Sequence, residues 1–331
     1  MPELLKRICT VSVCLLLLLV FAGLLGISLG SSQRMQSVLQ YFFTGREENA
    51  MLADILWRIR LPRVLLAALA GAVLSLGGLV FQAMLRNPLA EPYILGISGG
   101  SAIGAIIGIL MGLARFPGVC LCAFAGSLCI LLLVLLISSG KSGLKKDSLL
   151  LSGVMINAFC SSVITFLLSL SQDARIHNIL FWLMGDLSLP DMKQTGILAL
   201  MVLPCFIVIF SLSHRMNILL LGKEMAQILG MNTRAVMLIL LVCTSLMVSA
   251  TVSYCGLLGF VGLVMPHLLR LLLGPDHRVL VPACILGGGA YMILCDILAR
   301  ILPEQGEMPT GVITALIGAP LFIFLLRRSK K

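Results

Sequence analysis

The sequence predicts an all-α polytopic membrane protein of ten transmembrane helices, and three observations predict it. Of the 331 residues, 59% are apolar and only 11% charged, far from the balance of a water-soluble domain. The apolar residues gather in long runs, not in the alternating ten-residue segments of a membrane β-barrel. Gly, Pro and charge divide these runs at intervals that suit helices of about 20 residues. One transmembrane domain over residues 1–331 follows, with no sizeable extramembrane domain.

The first run, 8–29, follows Lys6 and Arg7. Its length, the lack of a small-x-small cleavage site and the many spans after it mark a retained helix, not a secretory leader. The second, 62–85, opens at Pro62, a residue suited to a helix start. Runs at 93–112, 116–137, 148–170, 192–211 and 233–254 supply the third to seventh spans. The eighth, 257–273, is short and holds Pro266, His267 and Arg270, so it is expected to begin as a broken or re-entrant segment around 261–267. Runs at 279–299 and 309–326 complete the set. Gly100, Gly104, Gly108 and Gly112 recur every four residues, as do Ala67, Gly71 and Ser75, which predicts narrow faces for close helix approach.

An even number of spans puts both termini on one side, and charge chooses the side. With cytoplasmic termini, the inner connections and ends carry 15 basic and five acidic residues, while the outer set carries nine of each. That asymmetry matches the positive-inside tendency. Five spans on either side of residue 170 imply two halves, about 1–170 and 171–331, of opposite orientation, as in inverted-repeat transporters.

Several function classes fall away. The net charge of +10 has no aromatic and basic stripe to go with nucleic acid. Most of the eleven cysteines lie in apolar runs, and Cys120-x-Cys122 has no second pair, so no metal site is expected. Gly96 to Ser101 lacks the ending of a phosphate loop, and His177, His214, His267 and His277 are dispersed. No catalytic residue is assigned. A membrane enzyme built on Asp296 and His267 finds no support, since they fall near opposite ends of neighbouring spans. Gln82, Asn157, His267 and Asp296 interrupt the apolar background and must face protein or a wet cavity.

The inner connection 213–234 is too long for a tight hairpin. Its run from Leu221 to Gly230 favours a short helix ending at glycine, suited to lie across the bundle mouth and meet a soluble partner. On the outer side Arg58, Arg60 and Arg63 cluster before the second span, and Arg300 is followed by Glu304 and Glu307. Arginines in such places suit pairing with the carboxylates of a docking protein.

Five segments, in their order and spacing, carry a family resemblance: Arg60-Leu61-Pro62-Arg63, Arg86 to Pro92, Leu221 to Gly230, Gly259 to His267, and Gly318-Ala319-Pro320. Over nearly the whole chain the sequence resembles the permeases of type II ABC importers for iron-siderophore, haem and vitamin B12, the FecCD-like permeases. The resemblance implies the type II ABC importer permease fold. It also implies a homodimer with the path at its interface, two cytoplasmic ABC ATPase subunits, and an extracytoplasmic substrate-binding protein. It places the chain in a bacterial or archaeal cytoplasmic (inner) membrane and leaves ATP and Mg on the ATPase, with no cofactor on this chain and no nucleic acid partner. Residues Leu221, Gly222, Lys223, Glu224, Ala226, Leu229 and Gly230 become the coupling helix within the 213–234 region. Arg60, Arg63 and Arg300, with Arg58 beside them, become docking residues. Asn87 and Leu89 fall at the cytoplasmic narrowing, and Asn157 and Ser161 line the path. Iron-siderophore is the expected cargo, with haem and cobalamin as alternatives.

Overall fold

The computed structural model describes residues 2–29, 53–140, 143–144, 146–171, 173–188, 191–303 and 306–329. Lys141, Lys145, Glu304, Lys330 and Lys331, used above in the charge argument and the outer cluster, lie outside the described residues.

Helix α1 (Pro2–Ser28) is followed by a π-helical turn, Ile55–Arg60, that runs straight into α2 (Leu61–Leu85). A 3-10 turn (Pro92–Leu95) leads to α3 (Ile97–Leu110), and a kinked turn (Arg115–Val119) leads to α4 (Cys120–Ser138). A two-residue antiparallel pairing, Ser139 with Leu144, connects α4 to α5 (Lys146–Ser169). The chain continues through α6 (Asp173–Leu183), α7 (Met192–Ser211), α8 (Ser213–Leu220), α9 (Lys223–Ile228) and α10 (Thr233–Cys255). Helices α11 (Val261–Leu273), α12 (His277–Ile301) and α13 (Thr310–Ser329) end it.

Among the described residues, seven helical stretches are long and apolar enough to cross a bilayer, and α3, α11 and α13 are shorter apolar helices, which together match the ten expected spans. Helix α2 is the centre of the bundle: its apolar window is 83% buried, against 6% for α1. It packs on α12, α11, α10 and α1, while α3 packs on α4, α5 and α6. The main core is one continuous cluster through both sequence halves, with small separate clusters around Leu56 and around Cys295, Ala299 and Ile313.

Lipid gives helices little hydrophobic reason to associate, so close backbone approach has to hold them. The small-residue stripes are where this happens. A Cβ at Gly71 would lie 2.1 Å from the Gly288 carbonyl oxygen, one at Gly78 would lie 1.8 Å from that of Gly262, and one at Gly104 would lie 2.1 Å from that of Cys122. Gly112 is the exception in its series. It lies past the end of α3 at φ +72° with open space around it, where it turns the chain.

Two expectations need correction. Residues 261–267 form the regular first turns of α11; the irregular piece is the preceding 256–260, which ends at Phe260 in a left-handed conformation (φ 67°). Helix α6 falls in a stretch, 171–191, read above as a plain connection. Its signal was short: Ile176, Ile179, Leu180 and Leu183 at helical spacing behind Asp173.

Candidate functional site

At one end of the bundle, α2 stops at Arg86, which takes a left-handed conformation (φ 47°). The Asn87 side-chain oxygen then accepts from the Leu89 amide at 3.0 Å, which holds the turn in shape. Leu89 is thereby left 48% exposed, an apolar side chain at the mouth of the bundle. Glu91 next to it is half-buried, and burial pushes its carboxyl above its ordinary value.

The connection 213–234 comes to the same place. Helices α8 and α9 meet at Gly222, whose φ of 109° suits glycine alone, and a Cβ there would lie 3.3 Å from the Arg86 guanidinium. Helix α9 closes with Gly230 at φ 76°, as Gly230 donates to the Gln227 carbonyl and Met231 to that of Ala226. Leu221, Met225, Ile228 and Leu229 stand exposed, and Glu224 is exposed beside them. Ala226 is fully buried, so it seats the short helix on its own bundle and offers no surface to a partner. Met225 and Ile228, not selected from the sequence, carry the exposed apolar face with Leu221 and Leu229. Their 221, 225, 228 spacing was the available signal.

Asn217 ties this region to the start of α12. Its side-chain amide donates to Asp276 at 2.8 Å, and its oxygen accepts from the His277 amide at 2.9 Å. Hydrogen bonds from Arg278 and Asn217 outweigh burial and hold the Asp276 carboxyl well below its ordinary value of 3.8. A carboxylate lowered in the folded state stabilises fully above that ordinary value, and the contribution is lost only as pH falls towards the folded value. The tie is therefore constant from pH 5 to 8. Asn217→Ala should cost about 1–2 kcal/mol at every pH in that window. Thermal melts at pH 5 and pH 8 check this, and a deficit present at only one of them would refute it.

At the opposite end of the bundle the arginines do something other than expected. Arg63 donates from Nε to Asp296 at 2.9 Å and from Nη1 to Glu307 at 2.5 Å. Asp296 also meets Arg300 at 3.1 Å and accepts from the Thr310 hydroxyl at 3.2 Å. Arg60 donates to the carbonyls of Ile27 and Ser28, and Arg300 to those of Gly26 and Leu29, so both cap the negative end of α1. Arg60, Arg63 and Arg300 are 4%, 3% and 4% exposed. Assigned from the sequence to a docking partner, these three instead join α1, α2, α12 and the start of α13 in this structure. The physical reason is Asp296: a carboxylate this deep needs cations around it. Arg58 alone of the four has an exposed head, paired at 3.1 Å with Asp54, which is also exposed.

Asn157 donates to the Tyr93 carbonyl at 3.1 Å and so fastens α5 to the 3-10 turn. Gly153 lies one turn earlier, where a Cβ would be 2.0 Å from the Ile94 carbonyl oxygen, so the backbones pack closely there. Ser161, one turn further along α5, is exposed, and its hydroxyl donates to the Asn157 carbonyl at 2.9 Å. Among the described residues no group of three His, Cys, Asp or Glu could hold a metal ion.

The chain's relatives agree with this architecture. It is 41% identical over 277 residues to the vitamin B12 import system permease protein BtuC of Salmonella arizonae, covering 83% of each chain. It is 40% identical to the protein of that name from Salmonella typhimurium, over 83% of this chain and 84% of the relative. A solved chain described as an inward-facing conformation of a metal-chelate type ABC transporter superposes with a TM-score of 0.86 at 31% identity, covering 96% of this chain and 99% of that one. PsaBC from Streptococcus pneumoniae, solved with a Fab, shares the fold at a TM-score of 0.57 and 15% identity, over 83% of this chain and 93% of that one. The model of the FecCD transport family matches residues 16–328. The chain thus belongs to the FecCD transport family and is a membrane-embedded ABC importer permease, a translocation subunit whose ATP is hydrolysed by a partner.

Proposed function

We propose that two copies of this chain form the path of an importer that carries a corrinoid of the vitamin B12 type across a cytoplasmic membrane. In this reading an extracytoplasmic binding protein delivers the cargo and two ATPase subunits drive the cycle. The observation that carries the cargo assignment is the 41% identity to a vitamin B12 permease across 83% of the chain. It favours cobalamin over the iron-siderophore expected from the sequence. A second metal chelate such as ferric siderophore keeps support from the 31% identical metal-chelate type neighbour. Uptake of labelled cobalamin, ferric siderophore and haem, measured in parallel with the cognate partners, tests the assignment: cobalamin should accumulate in an ATP-dependent way. Uptake of siderophore alone would replace the cargo and leave the permease reading standing.

The termini are cytoplasmic in this proposal, so α8, α9 and the Arg86 to Pro92 turn face the ATPase. Leu221, Met225, Ile228 and Leu229 dock in its cleft, and an exposed apolar face of this kind on a polar-rimmed element suits a protein partner. Asn217 and Asp276 then pass the motion to α12, which runs about 37 Å to the outer cluster. Changing both Met225 and Ile228 to Asp should lower substrate-stimulated ATP turnover at least about tenfold, the scale of an interface anchor. Unchanged turnover in the assembled complex would remove the coupling role. The halves 1–170 and 171–331 act as inverted repeats, with Asn87 and Leu89 at the inner gate and Ser161 on the path. Arg58 is the accessible cation for the binding protein, whereas Arg60, Arg63 and Arg300 support the surface from beneath.

A further inference from the structure

The connections α3–α4 and α5–α7 meet at one end of the bundle around a cavity of about 560 Å³. That is within the range of about 300–1,000 Å³ typical of small-molecule sites. Its wall is chemically mixed, unlike the apolar grooves that lipid tails fill. Arg115, Arg175 and His177 line it together with Phe181, Trp182 and Asp186. The acid is spoken for: one Asp186 oxygen accepts from Arg115 at 2.7 Å and the other from the Ser188 amide at 2.8 Å. Among the described residues Arg175 donates only to the Leu110 carbonyl, which leaves most of its five N–H groups for another acceptor. His177 leans on Phe181 with ring centroids 4.9 Å apart, an aromatic pair that lines the same cavity as the cation. Trp182 is 5% exposed within the same wall.

We infer that this cavity is a binding subsite for an aryl acid, a carboxylate or comparable oxyanion carried on an aromatic ring. The ring lies along His177 and Phe181, and the anionic oxygens face Arg175, where charge-assisted bonds fix the orientation. A cation is the wrong occupant, since the one carboxylate described in the wall is already paired twice. The site lies within a single chain and stands apart from the cargo assignment, which can fail without it.

The test uses the chain's own fluorescence. The protein has two tryptophans, so Trp57→Phe in the full-length permease, held in lipid nanodiscs, makes Trp182 the reporter. Titration with 3-iodobenzoate, a heavy-atom quencher, should quench it saturably. The neutral isostere 3-iodobenzamide should need at least about fivefold more for the same effect, and Arg175→Gln should raise the iodobenzoate midpoint by a similar factor, consistent with loss of one charge-assisted hydrogen bond. No saturable quenching, as when a second copy covers the cavity, would overturn the proposal. Equal midpoints for acid and amide in the unsubstituted pocket would also overturn it, whether or not the Arg175 variant folds.

Discussion

Asp296→Ala lowers the stability of the purified permease by about 3–5 kcal/mol, the scale of breaking a buried ion pair by removing one partner. Asp296 is fully buried and meets Arg63, Arg300 and Thr310 at once. Removing it leaves two guanidinium groups, 3% and 4% exposed, facing each other without their shared counter-charge. The loss also reaches α1, because Arg300 caps that helix from the same position. Glu307→Gln is the contrast. Its carboxylate is 34% exposed on the rim, where water screens it, and glutamine keeps an oxygen to accept from Arg63, so the loss should be about 1 kcal/mol. Thermal denaturation in one detergent, read for both variants, checks the pair. An alanine variant at 296 that melts with the parent would show that the cluster does not hold the outer end together.

Gly78→Val produces a loss of comparable size by a different route. Overpacking a core usually costs about 1–3 kcal/mol, and more where nothing can yield. Here the obstruction is backbone: the new Cβ would meet the Gly262 carbonyl at 1.8 Å, with the Gly262 Cα at 2.7 Å. Helices α2 and α11 must separate, and α2 is the element on which the bundle is assembled. Gly196→Ala in α7 should act in the opposite direction, since a Cβ there meets nothing within 4 Å and alanine favours a helix by about 0.5–1 kcal/mol. Melting temperatures of the two variants should therefore move apart from the parent. A Gly78→Val protein with parental stability would refute the close approach.

How far the residues alone reach differs between fold and site. The ten apolar spans were legible because a bilayer accepts few alternatives to a helix of that length. The stripe Ala67, Gly71, Ser75 was legible as a face, but not the identity of Gly288 as its partner, which depends on how α2 and α12 cross. At the inner end the spacing showed a short helix and a terminal glycine. It did not show that Ala226 would turn inward and Ile228 outward, because six residues carry too little periodicity to fix a face by themselves. Arg60, Arg63 and Arg300 read as exposed outer cations by sequence position, and only the fold brought the Asp296 carboxylate among them.

What the sequence by itself determined is the set of membrane crossings, their capacity for close contact and the family to which the chain belongs, since hydrophobic length and ordered motifs are properties of the linear chain. What only the tertiary structure decided is which polar groups meet: Arg63 with Asp296, Asn217 with Asp276, Arg86 beside Gly222, Arg115 with Asp186. These pairs lie up to 233 positions apart, and electrostatic and hydrogen-bond energies fall off over a few ångströms, so their partners exist only once the helices have packed.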